Sequence, residues 1–114
     1  MKKYQVGEFE EVVMLTMCIL GQQAYGVAIQ KEIEERLARE VSMGALHSAL
    51  IRLEEKGFVT SKGGESSEGR EGRPRRYYEV TALGRKALAH IKESREQLWN
   101  AIPSLPVKAK FCSL

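Results

Sequence analysis

Apolar positions along the chain fall into four stretches with a helical period and two short stretches with a different one. Phe9, Val12, Val13, Thr16, Met17 and Leu20 recur at helical spacing, behind Gly7 and the glutamates at 8, 10 and 11, which suit the positive end of a helix dipole. This predicts a first helix over about 7–20. Gly21-Gln22-Gln23 interrupts it, after which Tyr25, Ile29, Ile33 and Leu37 stand four apart with charged residues between them, predicting a second helix over about 25–38. Ser42 is a favourable N-cap, Leu46, Leu50 and Leu53 follow at i, i+4 and i+7, and Gly57 stands where a helix ends well on glycine. A third helix over about 43–56 results.

There the period shortens to two. Phe58, Thr60 and Lys62 face one way and Val59 and Ser61 the other. Further on, Arg76, Tyr78 and Val80 alternate with Arg75, Tyr77 and Glu79, so a hairpin is predicted whose long, mobile tip is the segment from Gly63 to Pro74. Thr81 can cap a fourth helix. Leu88, Ile91, Leu98 and Ile102 lie on its heptad-like seam, with Arg95 at the remaining seam position and Trp99 beside it, until Pro103 and Pro106 end it. The fold class is mainly α with a small β-hairpin. Three helices followed by a two-stranded ribbon is the order of a winged helix-turn-helix, in which the third helix enters the major groove of DNA and the ribbon lies along the backbone. The division expected is a winged helix-turn-helix domain over 1–81, a dimerisation helix over 82–102 and a flexible tail over 103–114.

Composition narrows the class without changing the fold. At 114 residues, 43% hydrophobic and 29% charged, the chain is expected to be one small soluble domain. Its apolar run from Val12 to Leu20 is far short of the ~20 residues of a membrane span. Glu8, Glu10 and Glu11 stand between Lys2-Lys3 and that run, where an export signal would carry no acid, so the expectation is a cytoplasmic protein with no membrane segment. Cys18 is expected to be a buried thiol and Cys112 a free one in the tail, too far apart in sequence to imply a disulfide framework or a metal site. No cofactor is expected.

Charge adds more through its distribution than through its sum of +3. Residues 1–41 are net acidic, whereas Gly69–Arg76 holds four arginines against one glutamate. Arg70, Arg73, Arg75 and Arg76 are therefore the candidates for phosphate contact, since a planar guanidinium can fork onto phosphate oxygens, although Glu65, Glu68 and Glu71 partly offset them. On the third helix the leucines take the core side. This leaves Met43, Gly44, His47, Ser48, Ile51 and Arg52 on or near the other, with Ser42, Gly44 and Ala45 small enough to let backbone N–H groups approach a phosphate. His47, Ser48 and Arg52 are the candidates to read bases. The alternative reading of this face is a merely solvated one.

The ordered pieces Gly7-Glu8-Phe9-Glu10, Ala24-Tyr25-Gly26-Val27, Ser42-Met43-Gly44-Ala45-Leu46, Leu53-Glu54-Glu55-Lys56-Gly57-Phe58-Val59, Arg73-Pro74-Arg75-Arg76-Tyr77-Tyr78 and Thr81-Ala82-Leu83-Gly84 resemble the PadR-type transcriptional regulators over about residues 7–100. The resemblance implies a dimeric winged-helix DNA-binding protein, usually a repressor, with a single C-terminal helix as dimerisation arm. The family commonly has tyrosine where this chain has His47, which replaces a hydrogen-bonding aromatic contact by a smaller, titratable ring. The resemblance also implies a phosphate contact for Tyr25; packing against the first helix is the other reading. Tyr78, in phase with Val80, is expected in the core and Tyr77 on the wing surface. His90 is read as a surface residue.

Phe9, Met14, Leu88, Ile91, Leu98, Trp99 and Ile102 are the expected dimerisation residues. Trp99 either packs in the dimer or, with Leu98, Ile91 and Phe9 or Met14, lines an apolar pocket between subunits for a small aromatic effector of the kind to which family members respond. An enzyme is not expected. The Gly64–Glu71 segment has the glycine spacing of a phosphate-binding loop but Arg and Glu where Lys and Ser/Thr are needed, and no nucleophile, base and acid converge. The expected partners are double-stranded DNA and a second copy of the chain. The alternative function is a winged-helix protein-interaction module without specific DNA binding.

Overall fold

The computed structural model describes residues 5–63 and 75–103. Its elements are α1 (Glu8–Leu20), a single 3-10 turn (Gly21–Gln23), α2 (Gly26–Leu37), α3 (Met43–Glu55), β1 (Val59–Gly63), β2 (Arg76–Val80) and α4 (Ala82–Ala101). The fold is thus mainly helical with a two-stranded antiparallel hairpin, in the predicted order. Arg70, Arg73 and the expected hairpin tip, with Glu65, Glu68 and Glu71, lie outside the described residues, as do Pro106, Cys112 and the expected tail from 104 on.

The leucine stripe of α3 decides how the helices cross. Leu46, Ala49, Leu50 and Leu53 are buried against Val13, Met14 and Met17 of α1 and Ile29 and Ile33 of α2, one contiguous core extended by Phe58, Val59 and Val80 of the hairpin. Two side chains of α2 fix the turn into α3. Gln30 Nε2 donates to the Val41 carbonyl at 2.8 Å, and Glu34 Oε2 accepts the Val41 N–H at 3.0 Å, so the backbone groups of this buried valine are satisfied. α3 then ends with Gly57 at φ +82°, a left-handed position that costs glycine nothing. The Gly57 N–H bonds the Glu54 carbonyl and the Phe58 N–H the Leu53 carbonyl, both at 3.0 Å, while the Phe58 and Leu53 side chains are both buried. This cap sends the chain into β1 with Phe58 already in the core.

The hairpin pairs Val59 with Val80 and Ser61 with Tyr78. Its other edge is also used. The Tyr78 N–H donates to the Ala24 carbonyl at 2.8 Å, and Tyr25 forms an isolated antiparallel bridge with Tyr77. A one-residue pairing has no period, so nothing in the residue pattern announces it. Tyr78 packs half-buried against the core as expected, and burial, together with the charge of Glu54, pushes its phenol above its ordinary value.

α4 starts hard against the base of the hairpin. Thr81 Oγ1 donates to the Gly57 carbonyl at 2.7 Å and accepts the Gly84 N–H at 3.0 Å, while the Thr81 N–H reaches the Phe58 carbonyl at 2.9 Å. Gly84 and Ala87 are buried there. Beyond Ile91 every described residue of α4 is exposed, so the expected seam divides: Leu88 packs on the chain's own core, whereas Leu98 and Trp99 are 71% and 58% exposed.

The acidic first turn of α1 does more than complement a helix dipole. Glu8 pairs with Arg39 at 3.2 Å, Glu11 with Arg95 of α4 at 3.0 Å, and Glu10 with both Arg52 of α3 and Lys56 just past its end at 2.6 and 2.8 Å. Glu10 is buried, and its Oε1 also accepts the Gly7 N–H at 3.2 Å. Burial alone would push its pKa up. Hydrogen bonds from Arg52, Lys56 and Gly7 outweigh it, and the carboxylate is held below its ordinary value of 4.5.

Candidate nucleic-acid interface

The same stripe that buries one side of α3 leaves the other to solvent. Gly44, Ala45, His47, Ser48 and Ile51 are exposed along it, with Ile51 at 54%. Ser42 caps the helix, its Oγ accepting the Ala45 N–H at 3.1 Å. Among the described residues a Cβ built on Gly44 would meet nothing within 4 Å, so none of them needs a glycine there, although glycine inside a helix costs about 0.5–1 kcal/mol relative to alanine. Gly44→Ala should therefore raise thermal stability by a few degrees. If backbone approach to DNA is what the glycine serves, the variant should also bind duplex roughly tenfold more weakly, the loss of one ~1.4 kcal/mol contact. Unchanged binding, read by fluorescence anisotropy, would remove close approach at this position.

Two residues assigned from sequence to this face also make contacts behind it. Met43 is half-buried against the core, and a Cβ on Gly26 would come within 3.2 Å of its Cε, so it fills the crossing of α2 and α3. Arg52 is exposed, and its Nε is bonded to the buried Glu10, so that it also ties α3 to α1. That partner stands 42 residues earlier in the chain, on a neighbouring helix. Gly44, His47, Ser48 and Ile51 are left as the exposed group at helical spacing.

At the base of the wing, alternation along β2 sends adjacent arginines to different places. The Arg75 guanidinium stacks over the Tyr25 ring, 4.1 Å from its centroid, and Tyr77 meets the same ring edge-on at 5.6 Å and 70°. Tyr77, expected on the wing surface, is half-buried in this contact. Tyr25 thus packs against the wing. Arg76 Nη1 donates to Ser61 Oγ at 3.0 Å, and Ser61 Oγ donates to Glu54 Oε2 at 2.6 Å, a relay ending on α3.

The dimerisation residues divide as well. Met14 is fully buried in the protomer and is corrected from interface to core, because α1 turns it toward α2 and α3 with Val13 and Met17. Phe9 packs half-buried on the core with the Arg39 guanidinium 5.5 Å over its ring. Leu15 and Ile19, at 46% and 52% exposed, are the free apolar residues of α1. They follow Glu11 at i+4 and i+8, on the face that Glu11 turns to Arg95 of α4. Cys18, expected to be buried, is exposed on that face too. The signal for these three was present as apolar residues left off the buried stripe. His90 is exposed on α4. Among the described residues no three side chains of His, Cys, Asp or Glu come together to hold a metal ion, and no helix is long and apolar enough to cross a membrane.

A helix-turn-helix whose second helix shows a solvent-facing polar side, followed by a hairpin wing and a projecting helix, defines the winged helix-turn-helix class. The family model described as the transcriptional regulator PadR-like family matches residues 16–90, and the chain belongs to that family. Among solved structures it is similar to a PadR-like transcription factor from Bacteroides fragilis, 27% identical over 81% of this chain and 84% of that one, with a TM-score of 0.67. It is likewise similar to a transcriptional regulator from Clostridium thermocellum, 27% identical over 78% and 83%, TM-score 0.65. A PadR family regulator from Clostridium difficile, at 23% identity, 81% and 92% coverage and a TM-score of 0.63, shares the fold. No curated protein matches the chain in sequence.

Proposed function

We propose that this PadR-family regulator is a homodimeric, sequence-specific DNA-binding repressor that acts in the cytoplasm. The observation that carries the reading is the outer face of α3. Gly44, His47, Ser48 and Ile51 are all exposed, while the helix is held from behind by its buried leucines and by the Glu10 anchor. His47 and Ser48 read base edges, Ser42 and Gly44 bring the start of the helix to a phosphate, and Arg75, held over Tyr25, and Arg76, with Arg70 and Arg73 of the wing, contact the backbone. Dimerisation is supported by the end of α4, where Leu98, Trp99 and the C-cap residue Ile102 stand exposed. Two copies paired there bring Trp99, Leu98, Ile91 and the exposed Leu15 and Ile19 together as the lining for a small aromatic effector that releases the DNA.

The test is fluorescence anisotropy of the purified protein with its own upstream DNA and a scrambled duplex of equal length, across a salt series. Binding of two protomers per site, steeply salt-dependent and at least ~10³-fold tighter on the upstream DNA, is expected, with half-sites one ~10 bp turn or a multiple apart. Weak, equal binding leaves an operator elsewhere or a docking module, and no binding at low salt favours the docking module.

A further inference from the structure

We infer that Tyr25 acts in DNA binding as a positioning residue for Arg75, the aromatic ring at the start of α2 holding the wing's guanidinium flat for a backbone phosphate. The inference rests on the DNA reading above and deepens it. Tyr25 is the N-cap residue of α2 in extended conformation, and its ring meets two residues of the same strand face: Tyr77 edge-on at 5.6 Å and the Arg75 guanidinium at 4.1 Å from the ring centroid. The backbone holds this arrangement independently, through the Tyr25–Tyr77 bridge and the 2.8 Å bond from the Tyr78 N–H to the Ala24 carbonyl. A guanidinium stacked on its face keeps its N–H donors in plane and pointing outward, the geometry that forks onto phosphate. Fixing it beforehand removes part of the side-chain entropy that binding otherwise costs. The location also favours an anion. The first turn of α2 holds no acidic residue, so the positive end of that helix adds to the field an anion would meet. Arg76, the next residue, is tied to Ser61, which bonds on to Glu54 of α3.

Because phosphate contact does not depend on sequence, any duplex serves as the probe. Anisotropy titrations with a random-sequence 30-base-pair duplex across a salt series should show Arg75→Ala lowering the salt slope by about one unit. Tyr25→Leu should weaken binding about three- to fivefold, and Tyr25→Phe, which keeps the ring, should match the wild type. In an Arg75→Ala background, Tyr25→Leu should have no further effect. A Tyr25→Phe variant as weak as Tyr25→Leu overturns the inference in favour of direct contact by the phenol oxygen. Equal losses in both Arg75 backgrounds overturn it in favour of a merely structural tyrosine. If Tyr25→Leu does not fold, Tyr25→Trp supplies the comparison: wild-type binding supports the ring's role and weakened binding opposes it. Wild-type protein that binds no duplex at low salt removes the DNA reading itself, an outcome distinct from the other two.

Discussion

Replacing Gly84 by alanine is expected to lower the melting temperature by about 10–15 °C. A Cβ at this position would lie 2.2 Å from the Phe58 carbonyl oxygen and 2.7 Å from Val80 Cγ1. The first of these neighbours is backbone and cannot rotate away. Phe58 is fully buried, and its carbonyl also accepts the Thr81 N–H at 2.9 Å, so making room means lifting α4 off the hairpin and losing that bond. Overpacking a tight core typically costs about 1–3 kcal/mol and occasionally more; a 2.2 Å overlap with backbone places this change at about 3–4 kcal/mol, and each kcal/mol moves a domain of this size by roughly 4–5 °C. The intrinsic helix preference for alanine, about 1 kcal/mol, works the other way and is too small to cancel it. Thermal unfolding followed by circular dichroism checks this, and an unchanged or higher midpoint would show that α4 can shift without cost. The contrast with Gly44→Ala is diagnostic. One substitution at two helix positions should have opposite signs, because one glycine touches the core and the other faces open space.

Glu10→Gln should destabilise the protein by about 1–3 kcal/mol, the next largest effect. The carboxylate is buried and accepts from Arg52, Lys56 and the Gly7 N–H, so an amide in its place turns donors toward donors. The figure lies below the ~3–5 kcal/mol of a broken, fully buried pair because the cations are 51% and 35% exposed and can regain water. The pH dependence follows from the depressed pKa. Folding keeps Glu10 ionised below its ordinary value of 4.5, so the unfolded chain binds more protons in that range. The stabilisation is complete above about pH 4.5 and disappears as the pH falls through the lower folded-state value. The stability difference between wild type and Glu10→Gln, from urea unfolding at pH 7 down to pH 3, should therefore be constant at first and shrink in acid. A pH-independent gap would mean that Glu10 contributes through packing alone.

The winged helix-turn-helix order was legible because each element carries its own signal. The stripe of Leu46, Leu50 and Leu53, the serine cap and the glycine end of α3 are local, and the structure repeats them almost residue for residue. The face of α3 opposite the stripe follows from the same period, so Gly44, His47 and Ser48 stand exposed on the side the sequence assigned them. Met14 falls in the core and Arg52 meets Glu10 for one reason: a helix stripe gives the side of a residue to within a quarter turn, and both sit at its margin, where the neighbouring helix decides. Cys18 was misplaced by the general preference of free thiols for the interior. That preference yields to the helix period, which puts Cys18 with Leu15 and Ile19 off the buried stripe.

What the amino-acid sequence determined by itself is the set of helices and strands, their order, the apolar side of each and the family. All of these rest on periods and caps within a dozen neighbouring residues. Only the tertiary structure decided which charges meet. Glu10 reaches Arg52 and Lys56 across 42 and 46 residues, Glu11 reaches Arg95 across 84, and Tyr25 reaches a wing residue fifty positions on. Such pairings depend on how buried stripes cross when they share one core, and no local period encodes a crossing.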